Sequence, residues 1–340
     1  MAYTTIKKPS DYFNTKLYTG NGGTQSITGV GFQPNMTWVK SRSSGAWHNL
    51  FDAVRGATKR LQVNSNSAEG TIATSLTGFD SDGFTVGSSG DVNGSGNSTV
   101  AWNWLANGAG VANTDGSISS TVSANTTSGF SIVSYTGNGT DNATVGHGLS
   151  QKPDMVIIKA RENTSSWLTW HKDLSGAGYA VFLDATDAQS NYNILKNQSS
   201  SVLTLSTNSA VNANNQGFIS YNFHSVQGYS KFGSYTGNGN ADGTFVYTGF
   251  KPAFVMIKQT NTTRNWITWD NKRSTFNVVD ERLTPNLSNG ESAGGIGLDF
   301  LSNGFKWVDD TADWNQSGGT FIYMAFAEQP LVGDNPATAR

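Results

Sequence analysis

The apolar residues of this chain are spaced as they are in β-strands. Residues 100–104 alternate with a period of two, so the even-numbered side chains share one face of a strand and the odd-numbered ones the other. The runs that end at Lys159 and Lys258 are continuously apolar, which is typical of central strands covered on both faces. No convincing amphipathic helix is present, and residues 184–197 are the one stretch that a short helix would fit.

The pattern repeats three times along the chain. Each copy contains, in the same order, a Tyr-Thr-Gly-Asn-Gly motif, a proline step, an apolar run ending in lysine, a tryptophan, and an asparagine before a closing strand. The landmarks are the motifs at 18–22, 135–139 and 235–239, then Pro34, Pro153 and Pro252, Lys40, Lys159 and Lys258, Trp47, Trp167 and Trp266, and Asn93, Asn212 and Asn315. Five landmarks in a fixed order, three times over, indicate three copies of one unit.

Turn signals complete the fold prediction. The Asn-Gly pairs of the three motifs predict hairpin turns, as do Asp82-Gly83 and Asn303-Gly304. Strands separated by turns every 8–12 residues or so favour sandwiches and jelly rolls. We therefore predict an all-β protein of three tandem, related antiparallel β-sandwich units with a jelly-roll or lectin-like form.

The boundaries of these units follow from the linkers. The prediction is a first copy at 1–110, a second at 111–227, a third at 228–330 and a tail at 331–340. Copies two and three join almost without a linker, which favours a rigid stacked pair. A longer polar stretch joins copies one and two, and an edge strand would fit its residues 118–122.

Composition excludes several classes of protein. Only 14% of the 340 residues are charged, against about 25% in an average soluble chain, and 39 are glycine, so a coiled coil is excluded. The net charge of −2, without long Lys/Arg runs, argues against nucleic-acid binding and a membrane-surface patch. The absence of cysteine rules out disulfides and thiolate sites. The first ten residues have no apolar signal region, so we expect synthesis in a cytoplasm.

Candidate acid–base chemistry is weak. None of the four histidines aligns across the copies; counted from Trp167, His171 corresponds to Phe51 and Asp270. Glycoside cleavage needs a pair of carboxylates, but no acidic cluster recurs among the copies. Residues 80–83 resemble part of a calcium loop, yet a hairpin turn explains them more simply. We therefore predict no catalytic residues, no metal site and no cofactor.

Aromatic residues suggest a second kind of site. In a strand, the spacing of Trp167 with Trp170 places the two rings on opposite faces, and the same holds for Trp269 and its partner. An exposed ring beside polar side chains can stack on a sugar, so Trp47, Trp170 and Trp269 are candidate carbohydrate-binding residues. The alternative, which we favour, is that the second ring packs under a loop or against a neighbouring subunit.

The three aligned lysines, Lys40, Lys159 and Lys258, end their apolar strands at matching places. Their simplest interpretation is a solvated strand end, or a charge that blocks pairing at a sheet edge.

The repeat motifs resemble those of a known family. The three Tyr-Thr-Gly-Asn-Gly motifs, together with residues 145–149, 228–237, 300–305 and 319–328, are similar to a repeat-domain family found in surface proteins of marine tailed bacteriophages. The resemblance covers nearly the whole chain. It implies a concanavalin- or laminin-G-like β-sandwich in a capsid decoration, tail or fibre component, and it supplies no catalytic residues.

Two functions follow as expectations. The first is a non-enzymatic virion structural protein on the particle surface, assembled in the host cytoplasm, with capsid or tail proteins as partners and a homo-oligomeric state. The second is an adhesin that grips host surface glycans through exposed aromatic residues. Nucleic acid, membrane and metal are not expected as partners, and an enzyme is a distant third.

Overall fold

The computed structural model describes residues 3–294, 296–332 and 336–338. It confirms the all-β prediction, because antiparallel sheets account for nearly all of the regular structure. The boundaries set at residues 110 and 227 stay predictions. Part of the predicted tail, at 333–335 and 339–340, lies outside the described residues.

The strands of the first copy follow a 3₁₀ turn at Pro9–Asp11 and are β1 (Phe13–Thr19), β2 (Gln25–Thr28), β3 (Met36–Ser41), β4 (Asn49–Asp52), β5 (Lys59–Gln62), β6 (Gly70–Thr71), β7 (Leu76–Asp80), β8 (Gly83–Val86) and β9 (Ser98–Trp104). Those of the second are β10 (Val111–Asn113), β11 (Ser120–Asn125), β12 (Phe130–Thr136), β13 (Thr144–Gly146), β14 (Met155–Ala160), β15 (Leu168–His171), β16 (Tyr179–Phe182), β17 (Ser190–Asn191), β18 (Leu195–Gln198), β19 (Val202–Leu205) and β20 (Gly217–Phe223). Those of the third are β21 (Ser230–Thr236), β22 (Phe245–Tyr247), β23 (Phe250–Gln259), β24 (Trp266–Asp270), β25 (Leu298–Leu301), β26 (Gly304–Trp307) and β27 (Thr320–Pro330).

Each copy contributes one large and one small antiparallel sheet. The large sheets have the orders β1-β9-β3-β4-β5-β6, β10-β11-β12-β20-β14-β15-β16-β17 and β21-β27-β23-β24. The small sheets have the orders β2-β8-β7, β13-β19-β18 and β22-β26-β25. The lysine strand therefore pairs with the closing strand in every copy, as expected for central strands.

The large sheets are buried on both faces. In β14, Val156 and Ile158 pack against the small sheet of the second copy, whereas Met155 and Ile157 face a core shared by all three copies. The other two lysine strands are divided in the same way. The outward-facing half of each sheet thus makes its own sandwich, and the inward-facing half packs on the other two copies.

The shared core is tightly filled. Residues of all three copies, among them Trp38, Trp167 and Met324, line an apolar cavity of only ≈ 10 Å³, which is room for about one water molecule. Aromatic rings of different copies touch there, as when Phe13 stacks on Phe326 with ring centres 4.8 Å apart. The three copies therefore close into a ring around one core.

The turn prediction is right in two places and wrong in three. Hairpins exist at Asp82-Gly83 and Asn303-Gly304, although each two-residue loop lies one position earlier, because Gly83 and Gly304 begin the second strand. The Asn-Gly pairs of the repeated motifs do not, because β1 pairs with β9 while β2 pairs with β8, so each motif crosses from the large sheet to the small one.

The repeated asparagines hold these crossovers in place. The buried Asn93 side chain accepts from the Asn21 amide at 2.9 Å and donates to the carbonyl oxygens of Gly23 and Gly87. Asn212 and Asn315 make the same kind of contacts with their own motifs. The spacing of motif and asparagine is therefore kept by hydrogen bonds between them.

The helix prediction at 184–197 is wrong, because that stretch contains β17 and the start of β18. The helices are single turns, α1 (Gly90–Asn93), α2 (Ser209–Asn212) and α3 (Ala312–Asn315), and each presents one of the repeated asparagines. None of the described helices is long and apolar enough to cross a membrane. The edge strand predicted at 118–122 overlaps β11 at residues 120–122, but β11 is not at the sheet edge, because β10 pairs with its outer side.

Trp269→Ala tests this packing, because the ring is fully buried between Trp307 and Trp314, with ring centres 5.2 and 5.6 Å away. We expect the free energy of unfolding to fall by roughly 3–5 kcal/mol in denaturant titrations. The control is Phe276→Ala, whose ring is 79% exposed and whose loss should cost no more than about 0.5 kcal/mol. Equal effects of the two variants would contradict the assigned core.

Candidate functional site

Two of the three candidate carbohydrate-binding rings are buried. Trp170 is 4% exposed and belongs to the core of the second sandwich, and Trp269 is 0% exposed within the third. The candidate role of stacking on a sugar is therefore wrong for both rings, and both are packed, as the favoured alternative expects. The physical reason is that both faces of the sheet are covered, so Trp167 packs in the shared core while Trp170 packs in its own sandwich.

Trp47 remains exposed, with 41% of its surface accessible. The strand registers show that it is not the counterpart of the later tryptophans. Asp52 lies opposite Met36 as His171 lies opposite Met155, so the residue matching Trp167 is His48. The alignment of the first copy with the second by their tryptophans is therefore displaced by one residue in this segment, and His171 corresponds to Asp52 rather than to Phe51.

The three aligned lysines are fully buried, so their interpretation as solvated strand ends is wrong. Each ammonium group donates to the carbonyl oxygen of the following residue and to a carbonyl oxygen of another copy. The second acceptors are Ser288 for Lys40 at 3.1 Å, Asn66 for Lys159 at 3.2 Å, and Thr186 for Lys258 at 3.0 Å. The recurrence of lysine at one position was the signal in the sequence, but its burial between copies depends on ring closure.

Burial changes the acidity of these groups. Desolvation disfavours the charged form and lowers the pKa of Lys40, Lys159 and Lys258 to about 8 in each case. Asp184 opposes this shift at Lys159, and Asp187 opposes it at Lys258. The carbonyl oxygens around each ammonium satisfy its donors, although they do not neutralise its charge.

The contacts run in one direction around the ring. The second copy's Lys159 reaches the first, the first copy's Lys40 reaches the third, and the third copy's Lys258 reaches the second. Two tryptophans repeat the pattern, since the indole N–H of Trp167 donates to the carbonyl of Gln62 at 2.9 Å and that of Trp266 donates to the carbonyl of Phe182 at 2.7 Å. Each copy therefore contacts both others through equivalent surfaces.

Backbone hydrogen bonds close the same three junctions. The amides of Glu69, Gln189 and Glu291 donate to the carbonyls of Arg161, Thr260 and Arg42 at 2.7, 2.8 and 2.7 Å. Two junctions add ion pairs, in which Arg161 holds Glu69 and Arg42 holds Glu291. The third has Thr260 and Gln189 at the corresponding places, so this junction, between the third and second copies, lacks that ion pair.

Buried carboxylates complete two of the junctions. Asp52 accepts from its neighbour Arg55 at 2.5 Å and from the hydroxyl of Tyr221 in the second copy at 2.7 Å. Asp270 does the same with Arg273 at 2.5 Å and with the indole of Trp102 in the first copy at 3.0 Å.

The third junction has His171 at this position. Burial lowers the pKa of His171 to about 4, so the ring is neutral at pH 7.

The buried carboxylates and lysines at the junctions make structural contacts. The Asp52 and Asp270 carboxylates are saturated by buried donors, and Asp82 accepts from the amides of Gly29 and Gly31. Among the residues that the structure describes, no three His, Asp or Glu side chains come together as metal ligands. The arrangement can therefore bind and position, and it presents no assembled acid–base pair in the contacts above.

The open surface at the third junction is a groove of ≈ 400 Å³ along β21. Its walls include Phe245 and Tyr247, which are 44% and 49% exposed, and the ion pair of Lys172 with Asp173. Lys231 lies over the Tyr247 ring at 5.2 Å from its centre and donates to the Tyr247 carbonyl at 2.9 Å. Sequence reasoning missed this site, because its aromatic residues lie outside the repeated landmarks.

A similar groove of ≈ 320 Å³ follows β1 in the first copy. It is lined by four consecutive strand residues, 14–17, together with Gly29 and Lys272 of the third copy. Two open grooves thus occupy corresponding positions at the edges of two large sheets.

One family model matches residues 8–330, under the description "Domain of unknown function (DUF7483)". The chain belongs to this family. The match runs through all three copies, as does the ring built on the shared core. No curated protein and no solved structure matches the chain.

Lys258→Met tests the buried lysines through pH. Because the folded-state pKa of about 8 lies below the ordinary 10.5, the unfolded chain binds more protons between these values, and Lys258 makes stability rise with pH in that window. We expect the stability of the variant relative to the wild type to be highest below pH 8 and to decline towards pH 10.5. Denaturant titrations at several pH values measure this difference.

The exposed Lys152→Met is the matched control for loss of a positive charge. A difference between Lys258→Met and wild type that stays constant from pH 7 to 10.5 would contradict the burial of Lys258.

Proposed function

We propose that the chain is a non-enzymatic structural protein of a bacteriophage particle, displayed on the surface as a capsid decoration or as a tail or fibre component. The observation that carries this proposal is the ring, in which three sandwiches share one core and are fixed by buried contacts at every junction. A rigid body with several outward surfaces suits a role in which one surface docks and others are displayed. The motifs that resemble phage surface proteins supply the biological setting.

The chemistry of the buried polar groups supports the same role. Asp52, Asp270 and the three lysines are engaged between copies, where they fix geometry and are closed to a substrate. The low charge of the chain suits docking through neutral polar and apolar contacts, since few charges need to be desolvated. Other capsid or tail proteins are the proposed partners.

The direct test is to locate the chain on the particle. We expect mass spectrometry of purified virions of the phage that encodes it to detect the chain at a fixed stoichiometry. A particle reconstruction should then show density that fits the ring at the capsid or tail surface. Absence of the chain from purified virions, with detection in infected-cell lysate as the control, would overturn the proposal.

Glycan binding is the second candidate function, and the exposure of Trp47 is the observation that favours it. A flat indole can stack on a sugar ring while polar neighbours bind its hydroxyl groups. We expect Trp47→Ala to weaken binding to host envelope polysaccharide by about tenfold, equivalent to roughly 1.4 kcal/mol, while the unfolding midpoint stays unchanged.

Trp47→Tyr is the matched control, because it keeps an aromatic face. Calorimetric titration with the polysaccharide makes the comparison. Wild-type protein that shows no binding at millimolar sugar would remove this candidate.

A further inference from the structure

The large sheet of the second copy has two strands that the other copies lack. β11 pairs along β12 from Asn125 opposite Phe130 to Ser120 opposite Tyr135, and β10 pairs with the far side of β11. In the described part of the chain, the corresponding strands β1 and β21 pair on one side only. One of three related sheet edges is thus covered by the chain itself, and two are open.

The strand registers make the three edges comparable residue by residue. Phe130 lies opposite Phe223, and Ser230 lies opposite Phe326. Phe223 and Phe326 also hold the same place beside the lysine strands β14 and β23. Phe130 and Ser230 are therefore equivalent, and the residues that follow them correspond one by one.

The groove along β21 lies where β11 lies in the second copy. Its floor is formed by residues 231–235, the counterparts of 131–135, which β11 covers. Its wall includes Val246, the counterpart of Val145, and Val145 forms a bridge with Ile118 just before β11. The open groove of ≈ 400 Å³ thus lies where a further strand would pair with β21.

Backbone groups of β21 point into this space. The Gly237 amide donates to the Gly319 carbonyl. Because backbone groups of successive residues point to alternate sides of a strand, the amides of Tyr235 and Gly233 also face β27. The amides of Ser234 and Thr236 therefore face the groove, and both residues are exposed.

The preceding chain covers only the start of this edge. Val226 forms a bridge with Ser230, and the Ser225 hydroxyl accepts from the Phe232 amide. The chain before these residues turns away because Phe223 is already part of β20. From Ser234 onward, no strand among the described residues pairs with the outer edge of β21, although the Thr236 carbonyl accepts from the Thr244 hydroxyl at 2.9 Å.

We propose that the β21 edge binds an extended segment of another polypeptide as an added antiparallel strand, between Phe245 and Tyr247 on one side and the Lys172–Asp173 ion pair on the other. The required chemistry is that of β11, whose side chains are uncharged and mostly small or β-branched, as in Ser-Thr-Val-Ser-Ala-Asn. Main-chain hydrogen bonds supply the affinity and the two exposed rings supply contact area. Strand β11, which this chain places on the equivalent edge of the second copy, is the precedent for such a strand.

The β21 edge is a surface through which another particle protein would dock, so this inference deepens the proposed structural role. To that extent the inference rests on the proposed function. Its test uses purified protein alone. A failure here therefore leaves the virion experiment untouched, and a failure of the virion experiment leaves strand binding measurable.

The experiment traps the strand with a disulfide, which is specific because the chain has no cysteine. The protein carries Ser234→Cys, and the probe is the ten-residue peptide of residues 117–126 with Thr121→Cys, since Thr121 lies opposite Ser134, the counterpart of Ser234. Directly paired residues have Cα atoms about 4.5–5.5 Å apart, within the roughly 4.4–6.8 Å range of disulfides.

The control peptide carries Val122→Cys instead, which points to the opposite face of the added strand. In a glutathione buffer we expect at least tenfold more mixed disulfide with the first peptide than with the control. Equal yields from the two peptides would overturn the proposed register.

A second pair of variants tests the backbone without cysteine. Ser234→Pro removes the outward amide at an edge where proline is tolerated, and Ser234→Ala keeps it. We expect the binding of fluorescein-labelled peptide 117–126, measured by anisotropy, to fall at least tenfold in the proline variant and to stay within twofold in the alanine variant.

Circular dichroism and the unfolding midpoint report whether each variant folds; if Ser234→Pro does not fold, the peptide comparison above decides. Binding that survives in folded Ser234→Pro would overturn the proposal. A wild-type dimer in sedimentation that Ser234→Pro abolishes would overturn the choice of occupant, because the edge would then serve a second copy of this chain.

Discussion

The structure depends on the burial of both faces of each large sheet. One face is covered by the small sheet of the same copy, and the other can be covered only by the remaining two copies. Exposing the inner faces would place tryptophan, phenylalanine and methionine side chains in water, each at a cost of about 1.5–3 kcal/mol. Ring closure is therefore a condition for the stability of every copy, and the chain forms one body rather than a string of independent modules.

The polar groups at the junctions give the ring its geometry. Burying an ammonium group is costly, so Lys40, Lys159 and Lys258 weaken the interface unless their donors find carbonyl oxygens in the right places. The neighbouring copy supplies those oxygens at each junction, which penalises any other packing of the three sandwiches. The junction with His171 lacks the buried aspartate and the ion pair of the other two, and it borders the groove with the exposed rings.

Local sequence patterns predicted the strands but could not predict which strands and sheets they pack against. The alternation at residues 100–104 and the continuous run before Lys159 specify strands with the observed faces, because side-chain direction follows from backbone geometry alone. The motif at 18–22 looked like a hairpin because an Asn-Gly pair suits such turns, yet Asn93, more than seventy residues away, decides its conformation. The sugar-stacking role considered for Trp170 required one open sheet face, but its own sandwich covers Trp170 and the shared core covers Trp167. The open edge of β21 is a difference between copies and became visible only by comparing their registers.

Scanning calorimetry of the intact chain tests the central claim, that three copies form one cooperative body around a shared core. We expect a single transition whose calorimetric enthalpy equals its van't Hoff enthalpy, since the inner face of every large sheet loses its cover once the ring opens. Two or three resolved transitions, or a van't Hoff enthalpy near one third of the calorimetric value, would show that the copies unfold independently and would contradict it.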